Sequence, residues 1–192
     1  VEPPTIEGVT YHHFHLPSLQ ESRLPMPGPA AMFDQKLRFA LLFPELAARK
    51  ARRLIEDDGY DLVYGYEVHG VLAARMLRPA DRLPLVARFQ GTVMHPHLDN
   101  RISLARRYEE VLALKTPADL YVMTDDGTQG DQVLARLNPA SRDKLCFWRN
   151  GLDLQHARPP TPEETKAARE SLGLTPDDFV LVTSSRLARW KR

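Results

Sequence analysis

Cysteine is almost absent: Cys146 is the only one in 192 residues, so no internal disulfide can form. A lone thiol suits a reducing, cytoplasmic setting. Cys146 lies in the apolar run Lys144 to Trp148, where a buried inert thiol is a better reading than a nucleophile. No apolar stretch approaches the length needed to span a bilayer, and no signal peptide opens the chain. An excess of charge is also missing. The 26 Lys and Arg residues stand against 25 Asp and Glu, a net +1 spread along the chain, which gives no ground for a nucleic-acid partner. Local basic patches still leave a peripheral contact with anionic lipid at the inner membrane face open. Neither G-x-G-x-x-G nor G-x-x-x-x-G-K-[ST] occurs, so the usual dinucleotide and P-loop phosphate cradles are excluded. His12, His13 and His15 do not read as a metal site, because strand neighbours point to opposite faces and no Cys or acidic residue accompanies them.

What is present describes a globular protein, 43% hydrophobic and 27% charged, with enough apolar material for a core. Val9 to Phe14 alternates as a strand would, and Leu16 to Pro29, with four prolines and a glycine, reads as a loop. Leu37 to Asp58 has helical spacing, interrupted at Pro44 as at the first turn of a fresh helix and stopped by Gly59. Four short apolar runs follow, Asp61 to Tyr66, Leu85 to Phe89, Asp119 to Met123 and Lys144 to Trp148. Helical segments near 71–77, 102–114 and 127–137 separate them. This alternation predicts an α/β fold, a Rossmann-like parallel sheet with helices on both faces.

Ligands gather at the carboxyl ends of parallel strands. In this sequence those ends carry Glu67 and His69, the segment from Gln90 through Gly91 and Thr92 to His95 and His97, and the segment from Thr124 and Asp125 through Asp126 to Gly127. Gly127 and Gly130 open a helix whose N-terminus would face an anion, although a permissive turn accounts for them equally well. Asn150 and Gly151 follow the last of these runs as a tight turn favouring positive φ. Pro159 to Thr161 reads as a linker, and Thr161, Pro162 and Glu164 as the N-cap, first turn and capping box of a helix ending at Gly173. The expected division is a first domain over 1–158 and, over 159–192, a linker helix and the start of a second domain.

The final stretch, DFVLVTSSRLARWKR, sets an apolar strand, Phe179 to Thr183, ahead of Arg186 and Lys191. A guanidinium fork and an ammonium point charge just past a buried strand suit a diphosphate. Together with DLVYGYEVHG, RFQGT, DLYVMTDDGTQGD and RNGLD, this segment resembles family 4 glycosyltransferases of the GT-B fold, from about Val9 onward.

The resemblance implies two facing Rossmann-like domains, an acceptor side and a nucleotide-sugar side, and metal-independent transfer with retention of configuration. The donor would be a nucleotide-sugar bound as substrate with no cofactor, and the acceptor a sugar, glycan or lipid. It implies that Arg186 and Lys191 hold the donor diphosphate, and that Asn150 and Gly151 form the turn at the cleft edge. Gln90 stands where many members carry a catalytic His, which leaves His95, His97 or His69 to take that role. Arg192 stands where the family usually has Gly. Val1 is not Met, and the resemblance implies a chain truncated at both ends and inactive alone. Two other readings fit the same sheet: a non-catalytic nucleotide-sugar or glycan-binding module, and a GT-B nucleotide-sugar epimerase.

Overall fold

The computed structural model describes residues 6–13, 16, 28–77, 83–151 and 158–182. The chain divides into two compact units, Val1–Asn150 and Gly151–Arg192.

The first unit begins its helices earlier than the sequence suggests. Helix α1, Gly28–Leu37, takes in Gly28 and Pro29, which were expected in the loop, and a π turn, Arg38–Leu42, joins it to α2, Phe43–Asp58. Pro44 falls in the first turn of α2, where its missing N–H costs little, and Gly59 closes the helix in the left-handed conformation with its N–H on the carbonyl of Ile55.

Four parallel strands then follow in strict spatial order: β1 Val63–Tyr66, β2 Leu85–Phe89, β3 Leu120–Thr124 and β4 Leu145–Trp148. The connections are α3, Glu67–Arg75, then α4, Arg101–Arg106, with α5, Tyr108–Leu114, and finally α6, Gly130–Leu137. The expected helix over 102–114 breaks at Arg107, which leaves helical geometry at φ −110° and ψ 30°.

A strand order equal to chain order, joined by right-handed crossovers, puts every connecting helix on one side of the sheet. That side is the core. Leu85, Ala87, Phe89, Tyr121 and Met123 point into it and meet Val71, Leu114, Val133 and Leu134, all buried. Gly65 permits this packing at β1. A Cβ there would stand 3.0 Å from the Cα of Val71, so α3 presses on bare backbone. Tyr121 adds a polar anchor: its hydroxyl donates to the carbonyl of Thr116 (2.8 Å) and accepts from the N–H of Ala118 (2.9 Å) and from Asn138 Nδ2 (2.9 Å).

The second face of the sheet was expected to carry helices as well, and the described residues leave it open. Tyr64, Tyr66 and Trp148 on that face are 56%, 47% and 62% exposed. Cys146 on the same face is a free, half-buried thiol.

Two strand expectations fail. Residues 9–13 are exposed and irregular, because the sheet has four strands and offers them no ladder. In the second unit, Phe179, Leu181 and Val182 are 93%, 89% and 79% exposed without strand structure. An apolar run becomes a strand only beside a partner, and the described residues of that unit supply none.

The second unit does form the expected helix, α7, Pro162–Ser171. Its capping box is complete: Thr161 Oγ1 accepts from the N–H of Glu164 (3.2 Å), and Glu164 Oε2 accepts from the N–H of Thr161 (2.8 Å).

Candidate functional site at the carboxyl edge of the sheet

Every polar cluster of the first unit that the sequence singled out, apart from the N-terminal histidines, lies where the strands end and their loops begin. The first loop is the tightest. α3 starts at Glu67 directly after β1, and Glu67 has φ 56°, a left-handed conformation that a side-chain-bearing residue adopts only at a cost of about 1 to 2 kcal/mol. The bend turns its carboxylate sideways to the next strand end, where Oε1 accepts the N–H of Gln90 at 2.7 Å. Glu67 therefore ties the first strand–loop junction to the second. The side chain of Gln90 itself is exposed, and its only hydrogen bond among the described residues is through its backbone.

From Gln90 the chain turns through Gly91 at φ +124°, against which the Asp126 carboxylate lies so closely that a Cβ would collide with it. Asp126 in turn accepts the hydroxyl and N–H of Thr128, at 2.5 and 3.1 Å. Thr128 Oγ1 accepts the N–H of Thr92 at 3.2 Å. The buried Thr92 hydroxyl donates to Glu110 on α5 and accepts the N–H of Met94 at 3.1 Å. This chain of bonds clamps the β2 loop between the β3 loop and α5. Buried hydroxyls satisfied on both sides fix a loop in one geometry, which is what a binding surface needs.

A second network runs along the open face. Arg88 Nη2 donates to the buried Thr124 Oγ1 at 2.9 Å and to Asn150 Oδ1 at 3.5 Å, and the Thr124 hydroxyl reaches Asn150 Oδ1 at 3.4 Å. Asp125 is drawn to the other side, where Arg149 Nε lies 3.4 Å from its carboxylate. Neither Asn150 nor Gly151 has positive φ, so that turn does not use the left-handed geometry expected of it. Gly127, at φ +82°, does, and the N-cap of α6 is Gln129 at φ 58°.

The histidines separate. His69 sits beside the rings of Phe39 and Phe43, with centroids 5.7 and 6.2 Å away, and its Nε2 lies 3.6 Å from Glu109 Oε2. His95 and His97 form a single 3₁₀ turn, half-buried, with no side-chain hydrogen bond among the described residues. His12 and His13 are exposed, and among the described residues no three His, Cys, Asp or Glu side chains group as a metal site would require. Near Glu109, Tyr108 has its phenol pushed above the ordinary value, first by burial and then by the Glu109 charge. Arg186, Lys191 and His15 lie outside the described residues.

The structure thus brings together Glu67 with Gln90, Gly91 and Thr92 with the β3 loop, and Thr124 with Asn150. Sequence reasoning missed Arg88, Glu110 and Thr128, while Asp126 lay within the strand-end segment it singled out. Arg88 had a visible signal, a charge inside the otherwise apolar run LVARF, next to the loop. Glu110 and Thr128 had none, since only the folded loops make them neighbours.

No helix among the described residues is long and apolar enough to cross a membrane. No protein-family model matches the chain, and no curated protein matches it. The geometry defines a class at the level of fold, an α/β protein with a four-stranded parallel sheet flanked by helices and a bonded polar edge.

Proposed function

We propose that this chain is the acceptor-side portion of a retaining glycosyltransferase of the GT-B type, working on a nucleotide-sugar donor in the cytoplasm. The observation that carries the reading is the clamped loop from Gln90 to Thr92: three separate elements, the first residue of α3, the β3 loop and α5, bond to it at the carboxyl edge of a parallel sheet. Ligands of such sheets bind there, and a positioned loop supplies the orientation that sugar transfer depends on. The motif order of the sequence supports the same assignment.

In this reading charge grows on the departing nucleoside diphosphate as the glycosidic bond breaks. Arg186 and Lys191 are assigned to stabilise that charge, more in the transition state than in the ground state. No metal is needed for the step when two fixed cations meet the leaving group. Replacing either cation by Ala in the full-length protein lowers turnover by more than it weakens nucleotide binding, measured as kcat against the dissociation constant of the nucleoside diphosphate. Equal losses in the two quantities contradict the assignment.

Gln90 favours a second reading. An amide cannot take the part that a histidine plays at that position, and among the described residues its exposed side chain has no base or acid bonded to it. A non-catalytic module binding the same ligands fits that substitution. Donor consumption across a panel of nucleotide-sugars, with and without sugar or lipid acceptors, separates the cases. Acceptor-dependent turnover supports the transferase, saturable binding without turnover the module, and sugar isomerisation without acceptor an epimerase.

A further inference from the structure

Arg88 is the only charged side chain within the four strands. It stands on the open face of the sheet, one residue before the end of β2, half-buried. Its hydrogen-bonding partners, Thr124 and Asn150, are both neutral. No carboxylate among the described residues forms an ion pair with it: Asp125 pairs with Arg149, and Asp126 and Glu67 accept instead from Thr128 and from the N–H of Gln90. Among the described residues the guanidinium has no counter-ion, and only Nη2 is engaged.

A partly desolvated cation is unfavourable unless something anionic compensates it. Thr124 and Asn150 orient this one without neutralising it, leaving the rest of its planar fork for a ligand. The register then places an aromatic ring to either side. Tyr66 pairs with Arg88 across β1 and β2, and Trp148 pairs with Thr124 across β3 and β4, all on the same face and both rings exposed. Rigid rings beside a fixed cation are suited to a ligand that carries an anion on a ring.

We propose that Arg88, with Tyr66 and Trp148, binds a phosphorylated sugar, the phosphate on the guanidinium and the C–H face of the sugar on an aromatic ring. This deepens the transferase reading and rests on it for the choice of a sugar: the acceptor is an anionic one. The cation and its flanking rings stand independently of that reading.

The test uses the 192-residue chain carrying Trp190→Phe, so that Trp148 is its only indole. Glucose 6-phosphate is expected to change Trp148 emission saturably, with glucose and inorganic phosphate each at least about tenfold weaker. Arg88→Gln weakens glucose 6-phosphate by at least about tenfold, and Arg88→Lys, which keeps the charge but loses the fork, falls between. Tyr66→Ala, a change at an exposed ring that leaves folding intact, weakens glucose 6-phosphate and spares inorganic phosphate. The proposal is overturned by absent saturation, by inorganic phosphate or adenosine monophosphate binding as tightly as glucose 6-phosphate, or by unchanged affinity in Arg88→Gln. Should Arg88→Gln fail to fold, the Tyr66→Ala comparison decides. Transferase turnover is a separate measurement, so each reading can fail while the other stands.

Discussion

Gly91 is required for two reasons that add. Its φ of +124° is strained for any side chain, and the space a Cβ would fill is taken by the Asp126 carboxylate. Gly91→Ala is expected to destabilise the protein by about 2 kcal/mol or more in urea unfolding. In an Asp126→Ala background the cost shrinks but does not vanish, since the backbone strain remains; a double-mutant cycle reads the steric part alone. Tyr121→Phe tests the buried anchor. It leaves the Ala118 N–H and the Asn138 amide short of an acceptor, and about 1 to 3 kcal/mol of stability is expected to go. Residues of these two kinds differ in legibility. Gly91 announces itself in RFQGT, because a glycine after a strand signals a turn. Tyr121 reads from sequence only as an aromatic ring, since nothing there shows its hydroxyl turning back to Thr116 and Ala118 or meeting the distant Asn138.

Among elements, helix α7 is the most self-contained, and its stability responds to acid. Glu164 has its carboxyl held below the ordinary value, first by Arg158, whose guanidinium lies 2.5 Å away, and then by the N–H of Thr161. A carboxyl depressed in the folded state contributes stability above its unfolded value and loses it as pH falls through the folded one. The loss therefore falls on the acid side of the usual glutamate range. Protection of the first-turn amides of α7, taken relative to their intrinsic exchange rate at each pH, is expected to fall there in the wild type, whereas Glu164→Gln, which cannot titrate, shows a smaller fall; Asp178, also depressed by its bonds to Thr175, titrates in both and cancels. Thr161→Ala removes the other half of the box, and about 1 kcal/mol of local protection should vanish at any pH. This helix was readable because Thr161, Pro162 and Glu164 settle its start locally. The four strands of the sheet were readable too, each an apolar run bounded by turn residues. The runs at 9–14 and 179–183 carried the same local signal, and over their described residues they did not form strands. Strand formation depends on a neighbour, and a neighbour is not a local property.

At the scale of the molecule, the alternation of short runs and helical spacing was enough to give a parallel α/β sheet, but not which faces the helices would cover. That follows from strand order, which no window of sequence contains. The order also decides where the candidate site is exposed: Tyr66, Arg88 and Trp148 share the face that the connecting helices do not reach. Covering that face, by ligand or by partner, would protect Trp148 from a soluble quencher such as acrylamide. In the free chain its emission is expected to be quenched as readily as that of an exposed indole.

Because β1 to β4 lie side by side in the sequence in which they are written, each new strand meets an edge that is already complete when it is made. A polypeptide leaving a ribosome can then grow its sheet one βα step at a time, without holding any segment in reserve for a later partner. Reordering the four steps by circular permutation would keep most native neighbours and remove that timetable.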